Sequence, residues 1–243
     1  MRNLLICGSV VALLLSPMAA SAALFTFSDP GLPGLAAEAE FTLIDPSTLE
    51  IRLRNTSTGV PGGFSNSDQI LTGISFDFGV PGYNGDPLIS AGVALIGPAS
   101  ASLDFDSGSY GPGYDVSGEW GYGNMDGTGA LTNFASANTA VATPFGGANL
   151  DGPVAIDGPQ AGLVANPEAV PLGGLGAIQD EVLITLTISP YTPGGDLLDN
   201  LDFLYENLVR VEFGSDAAFI TVPEPSSIVL VLTALLGLRR RRS

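Results

Sequence analysis

The side chains that could do chemistry in this chain are carboxylates and aromatic rings. Its 243 residues include 25 Asp and Glu, 8 basic residues and no histidine. All the basic residues are arginine, and Cys7 is the one cysteine. Without histidine, neither a Ser-His-Asp nor a Cys-His arrangement can be built. Without lysine there is no Schiff-base chemistry and no P-loop, and no G-x-G-x-x-G follows a strand to open a helix. Two acids flanking a glycosidic bond would suffice for sugar hydrolysis. With so many acids some such pair arises by chance, so a carboxylate-dependent glycoside hydrolase stands only as the alternative to a non-enzymatic role.

Calcium is the ion these acids suit, because it takes hard oxygen ligands from acidic loops. Asp104 and Asp106 flank Phe105, which in an extended segment puts both carboxylates on one side; Asp126-Gly127 and Asp151-Gly152 read as turns. Asp104, Asp106 and Asp126 are the candidate ligands, although their spacing matches neither the EF-hand nor the nonapeptide pattern. The plainer alternative is a solvated acidic surface whose Asp-Gly pairs simply turn the chain. Residues 107–129 hold eight glycines and four aromatics, Tyr110, Tyr114, Trp120 and Tyr122. Rings among glycines have few local neighbours, so these four form a candidate platform for sugar rings, with Asp115 and Glu119 bonding hydroxyls. Equally, they would serve to cap the open end of a core.

The elements that must position these residues are strands. Leu49, Ile51 and Leu53 alternate with Glu50, Arg52 and Arg54, a period of two with one buried face. "AEFTLI" precedes them across Asp45-Pro46-Ser47-Thr48, a turn with Pro at its second position, so 39–55 read as a hairpin. Ile74, Phe76 and Phe78 predict another one-faced strand with a bulge at Gly73, and residues 88–97 fit a more fully buried one. Residues 182–189, 208–213 and 218–222 repeat the strand pattern, whereas Leu197, Leu201, Leu204 and Leu208 recur at helical spacing. Asn55-Thr56-Ser57 fits a glycosylation sequon and reads here as a strand end. Short strands separated by Gly and Pro predict a mainly β protein, an antiparallel β-sandwich, with 107–129 and 143–176 as long Gly/Pro-rich loops. The near-duplicates "LDGPVA" and "IDGPQA" at 150–161 are too few for a solenoid.

Both ends read as delivery signals. Arg2, the apolar "LLICGSVVALLL" and the small residues before position 23 predict a cleaved export signal over 1–22, with Ala20 and Ala22 filling the small pockets of signal peptidase. Ile6 stands before Cys7 where a lipoprotein signal needs a small residue, which argues against a lipid anchor. At the other end residues 226–238 carry no charge. As a helix they span roughly 20 Å, short of the roughly 30 Å hydrocarbon core unless arginines snorkel. Arg239, Arg240, Arg241 and Arg242 act as a membrane stop that holds the C-terminus in the cytoplasm. Pro223 and Pro225 keep the segment ahead of the span extended.

Residues 222–243 closely resemble the PEP-CTERM sorting signal of exosortase-dependent surface proteins. Val222, Pro223, Glu224, Pro225 and Ser226 match its start and "LLGLRRRR" its end, and the match covers 22 of the 243 residues. The resemblance implies a Gram-negative-type bacterium that makes extracellular polysaccharide, with signal peptidase and a membrane exosortase as partners. It further implies an inner-membrane-anchored intermediate and then delivery to the cell surface, matrix or biofilm. "LRNTS" and "LTGISFDF" are also similar to strands of many exosortase-sorted proteins, which implies the same fold. The chain then divides into a signal peptide (1–22), an extracytoplasmic β-sandwich (23–221) and a sorting signal (222–243), the last with its motif at 222–226, its transmembrane helix at 226–238 and its basic tail at 239–242.

Of the 25 acids only Glu224 lies outside 23–221, and of the 8 basic residues only Arg52, Arg54 and Arg210 lie inside it. The body therefore sets 24 acids against three arginines, a net charge of −21. Such a surface repels nucleic acids and anionic lipid headgroups. Loss of Cys7 with the signal leaves no disulfide and no Cys or His metal site. The expected role is a structural or adhesive component associated with exopolysaccharide, with 104–129 as its interaction region. Glycine-rich loops cost roughly 1–2 kcal/mol per residue to fix, so Ca2+ is expected to order that region.

Overall fold

Period-two alternation of buried and open positions is realised over residues 36–43, 48–55 and 182–188. The computed structural model describes residues 21–45, 47–58, 69–77, 89–105, 108–123, 133–138, 142–147, 150, 160–166, 176–188, 209–214 and 218–221. Among the described residues the chain is mainly β, with no α-helix. In chain order the strands are β1 (Ser21–Ser28), β2 (Ala36–Asp45), β3 (Thr48–Asn55), β4 (Leu71–Phe76), β5 (Ile89–Ile96), β6 (Ser102–Leu103) and β7 (Gly121–Gly123), followed by β8 (Asn133–Ser136), β9 (Thr143–Pro144), β10 (Leu163–Val164), β11 (Ala177–Gln179), β12 (Glu181–Ile188), β13 (Val209–Phe213) and β14 (Ala218–Thr221). The helical spacing at 197–208, the predicted span at 226–238 and both end signals up to residue 20 and from 222 lie outside the described residues.

One sheet is antiparallel, in the order β1-β2-β3-β12-β5. The other runs β6-β11-β10-β4-β8-β7-β9, with β13 along the second side of β4 and β14 beyond it. That second sheet is mixed rather than antiparallel, because β10 and β11 run parallel. The predicted hairpin is β2–β3, with Phe41 opposite Ile51 and Leu43 opposite Leu49. At its turn the Ser47 backbone N–H and hydroxyl both donate to Asp45 Oδ1 at 2.8 Å. These bonds, the backbone one foremost, hold the Asp45 carboxyl below the ordinary Asp range. The strand end at Asn55 is equally well anchored. Asn55 is 2% exposed, and its amide donates to the Leu163 carbonyl at 2.7 Å, so its side chain is a buried link rather than a surface acceptor for sugar.

The inward faces of both sheets share one apolar core. Phe25 meets Phe41 edge to face at 5.6 Å, and Phe41 meets Phe76 of the opposite sheet in the same way at 5.4 Å. Edge-to-face rings add about 0.5–1.5 kcal/mol per pair beyond the area that they bury. Behind them, Ile51, Leu53, Val182, Ile184, Val209, Val211 and Phe213 are fully buried.

Four expectations change. β4 is buried at all six positions rather than on one face, because it is an inner strand flanked by β13 on one side and β8 and β10 on the other. Its irregularity falls at Thr72, beside Gly73: Glu212 faces Gly73 while Phe213 faces Leu71. β5 is the reverse case, an edge strand with Ser90, Ala91 and Val93 exposed, where fuller burial was expected. Segments read as loops contribute the short strands β7, β9 and β10. β1 extends the sheet from Ser21, where the export signal was expected to be ending.

The shortest of the chain's crossings between the sheets is a single residue. β11 belongs to the mixed sheet and β12 to the antiparallel one, and only Asp180 separates them. Asp180 has a φ of 58°, in the left-handed region that Asp tolerates better than most residues. Its N–H donates to the Val164 carbonyl and its carbonyl accepts from Asn55 N–H, both at 2.8 Å. Its carboxylate accepts from Arg54 Nε and Nη2 at 3.1 Å and from the Ser100 hydroxyl at 2.9 Å. The next residue, Glu181, is 2% exposed and accepts from Arg52 Nε at 2.7 Å. Gly97 makes room for it, since a Cβ there would come within 2.4 Å of Glu181 Oε1.

Asp180→Ala removes the ion pair, the Ser100 bond and the left-handed tolerance together. It should cost about 2–3 kcal/mol, less than the roughly 3–5 kcal/mol of a fully buried pair because Arg54 is half exposed and keeps part of its hydration. Asp180→Asn, which tolerates the same backbone and keeps an acceptor for Ser100, should cost less. Urea unfolding midpoints of the two variants check the order.

Candidate functional site

The candidate site residues separate into a surface pair and a buried group. The segment from Gly108 to Ser117 lies against β5 and β6 and is tied to them through its backbone. Ser102 N–H donates to the Tyr110 carbonyl at 2.8 Å, and Tyr110 N–H donates to Ser102 Oγ at 2.7 Å. Gly113 N–H donates to the Ile96 carbonyl at 2.8 Å, and Ile96 N–H donates to the Tyr114 carbonyl at 2.9 Å. Asp115 makes a bridge with Leu95, and its carboxylate accepts from Ser117 N–H at 2.8 Å to turn the chain. A glycine-rich stretch with no alternation is thus anchored by main-chain bonds to strands already in place.

This anchoring builds an aromatic ladder from core to surface. Phe105 is buried, and a Cβ on Gly176 would come within 2.6 Å of its ring, so glycine is what lets the ring lie flat there. Tyr110, half-buried, meets Phe105 edge to face at 6.4 Å. Tyr114 stacks on Tyr110 at 4.1 Å with 30° between the planes, and is 40% exposed. A stacked tyrosine with one open face offers an apolar surface and a phenol hydroxyl beside it, the combination that a sugar ring meets in water.

The other two predicted platform members are elsewhere. Trp120 is fully buried in the main core, with its indole N–H donating to the Ala161 carbonyl at 3.2 Å. Tyr122 stacks on Phe145 at 5.8 Å and donates its hydroxyl to the Ser90 carbonyl at 2.7 Å, so it ties β7 to β5. The four-ring platform is therefore corrected to a pair, Tyr110 and Tyr114. Glu119 is corrected as well. It is 1% exposed, and its carboxylate accepts from Leu150 N–H rather than facing solvent.

Of the candidate calcium ligands, Asp104 is exposed and has a φ of 56°, so the backbone at that point is not the extended one that would align it with its neighbour. Asp106 and Asp126 lie outside the described residues, as do Val222, Pro223, Glu224, Pro225 and Arg239, Arg240, Arg241 and Arg242. Among the described residues no three acids gather in a group that could hold a metal, and no helix is long and apolar enough to cross a membrane.

Sequence reasoning missed a charged face. Leu24, Glu38, Glu40, Arg52, Arg54 and Glu181 line a shallow depression on the outer side of the antiparallel sheet. Register sets Glu38 opposite Arg54 and Glu40 opposite Arg52. The hydrogen bond that Arg52 donates to Glu181 and the negative charges of Glu181, Glu40 and Asp180 outweigh burial and raise the Arg52 guanidinium above its ordinary value, so it stays a cation. The available signal was the alternation of the two arginines on β3; their buried partners are 126 and 129 residues away. No family model, curated protein or solved structure matches this chain.

Trp120 is the one tryptophan in the sequence, which makes its placement measurable. Its fluorescence should be blue-shifted and poorly quenched by acrylamide until the protein unfolds. Quenching in the native state at the rate of free tryptophan would contradict its burial.

Proposed function

We propose that this chain is an exported protein sorted by an exosortase to the cell surface or extracellular matrix, where a β-sandwich body acts as a structural or adhesive component associated with exopolysaccharide. The observation that carries this reading is the tail. Val222-Pro223-Glu224-Pro225, the uncharged residues 226–238 and Arg239 to Arg242 occur in that order at the C-terminus. An extended motif, a short span and a basic stop give a processing enzyme a fixed target at the outward face of the inner membrane. The calculated charge of −21 for 23–221 turns the adhesive part toward neutral or cationic polymers rather than nucleic acid.

The body supports that role in two ways. Tyr114 presents an open aromatic face on a ladder anchored in the core. The buried acids Asp180, Glu181 and Glu119 are taken up by arginine, serine or backbone donors, which gives them work in the frame rather than at a sugar bond.

C-terminal mass spectrometry of protein extracted from the cell surface should find a chain ending near Pro223-Glu224-Pro225; a chain ending at Ser243 would overturn the sorting. Presented with exopolysaccharide from the same cells, the protein should bind without shortening the glycan. Tyr114→Ala should weaken that binding by up to about tenfold, the scale of one stacking contact. Release of shortened glycan would establish the hydrolase instead.

A further inference from the structure

The two edges of the antiparallel sheet are finished differently. At β5 the backbone is capped along its length: Tyr122 donates to the Ser90 carbonyl, Ser117 Oγ accepts from Ala94 N–H, Val116 N–H donates to the Ala94 carbonyl, and both polar groups of Ile96 are bonded to 113–114. At the opposite edge β1 pairs with β2 over eight residues in unbroken register, and among the described residues it pairs with no other strand. Natural edges are protected by charge, proline or a bulge. The sequence "SAALFTFS" has no charge and no proline, and its register shows no shift. Leu24 points outward from the middle of it at 64% exposure, the highest of any large apolar side chain among the described residues.

Charge decides what can approach this edge. A body of −21 repels a copy of itself over most of its surface. Two of its three arginines, Arg52 and Arg54, stand on the outer face two strands in from this edge, opposite Glu40 and Glu38 in register. β1 itself carries no charge, so pairing along it sets no acid of one copy against an acid of the other within the strand pair. We infer that β1 is a self-association edge: two copies of this chain pair β1 against β1 in antiparallel fashion, bringing their Leu24 side chains together on the outer face and joining two five-stranded sheets into one. Pairing of faces with like faces makes the two Leu24 side chains direct or diagonal neighbours. Cleavage after Ala22 leaves Ala23–Ser28 for the contact. A single strand pair with one apolar row buries little area, so the dimer is a micromolar one.

Sedimentation velocity of the protein recovered after export tests this, between about 1 µM and about 100 µM. The wild type should move from monomer to dimer across that range. Leu24→Lys and Leu24→Glu should each stay monomeric with unchanged circular dichroism and melting midpoint, since Leu24 is exposed in the monomer. Mixed in equal amounts, the two variants should dimerise again, because opposite charges then meet where like charges did. Thr26→Lys and Thr26→Glu repeat the exchange at the next outward position, should either Leu24 variant fold poorly. A wild type that remains monomeric throughout overturns the inference, as does a dimer indifferent to these substitutions or a mixture that fails to restore it.

Discussion

The tightest constraint in the fold is at Asp180, where the chain makes the shortest of its crossings between the two sheets. The chain leaves the mixed sheet at Gln179 and enters the antiparallel one at Glu181, so this crossing turns on one left-handed residue. A bend this sharp leaves a peptide on each side with polar groups to satisfy in the interior. Val164 and Asn55 satisfy them from the two sheets, while Arg54 and Ser100 hold the carboxylate. These four partners come from three separate parts of the chain, so the corner also ties together β3, β10 and the 97–100 turn.

Charge economy follows from that corner. A body with three arginines uses two of them to hold Asp180 and Glu181, the two adjacent acids buried at the sheet crossing. An unpaired charge at either position would be costly in the interior, whereas acids left in water need no partner. Most of the remaining carboxylates can thus be numerous without a matching supply of cations. On the outer face of β2 and β3, Glu38, Glu40 and Glu50 share these two arginines with the buried pair.

Glycine serves the aromatic residues here as much as it serves turns. The Phe105 ring that supports Tyr110 and Tyr114 lies over Gly176 at a distance that leaves no space for a Cβ. A chain rich in glycine can bring rings flat against backbone, which compensates for the apolar area that glycine itself does not bury. The aromatic ladder is packed onto the core for that reason, although the sequence around it reads as loop.

The sequence by itself determined whatever depends on near neighbours. The β2–β3 hairpin, the burial of Leu49, Ile51 and Leu53 and the strand character of β12, β13 and β14 all follow from alternation and turn chemistry within a few residues. The aromatic cluster at 110–122 was legible as a group of residues, but their division was not, because Trp120 enters the core only when Ala161 supplies a carbonyl to its indole. Which side of a strand meets water also depends on non-local placement. β4 and β5 carry similar apolar runs, yet β4 lies inside its sheet and β5 at an edge. The pairing of Arg52 and Arg54 with acids more than a hundred residues away, and the corner that buries those acids, were decided by tertiary structure alone. Local periodicity encodes which face of a strand is apolar; only the folded arrangement of two sheets decides what that face, and the charges opposite it, will touch.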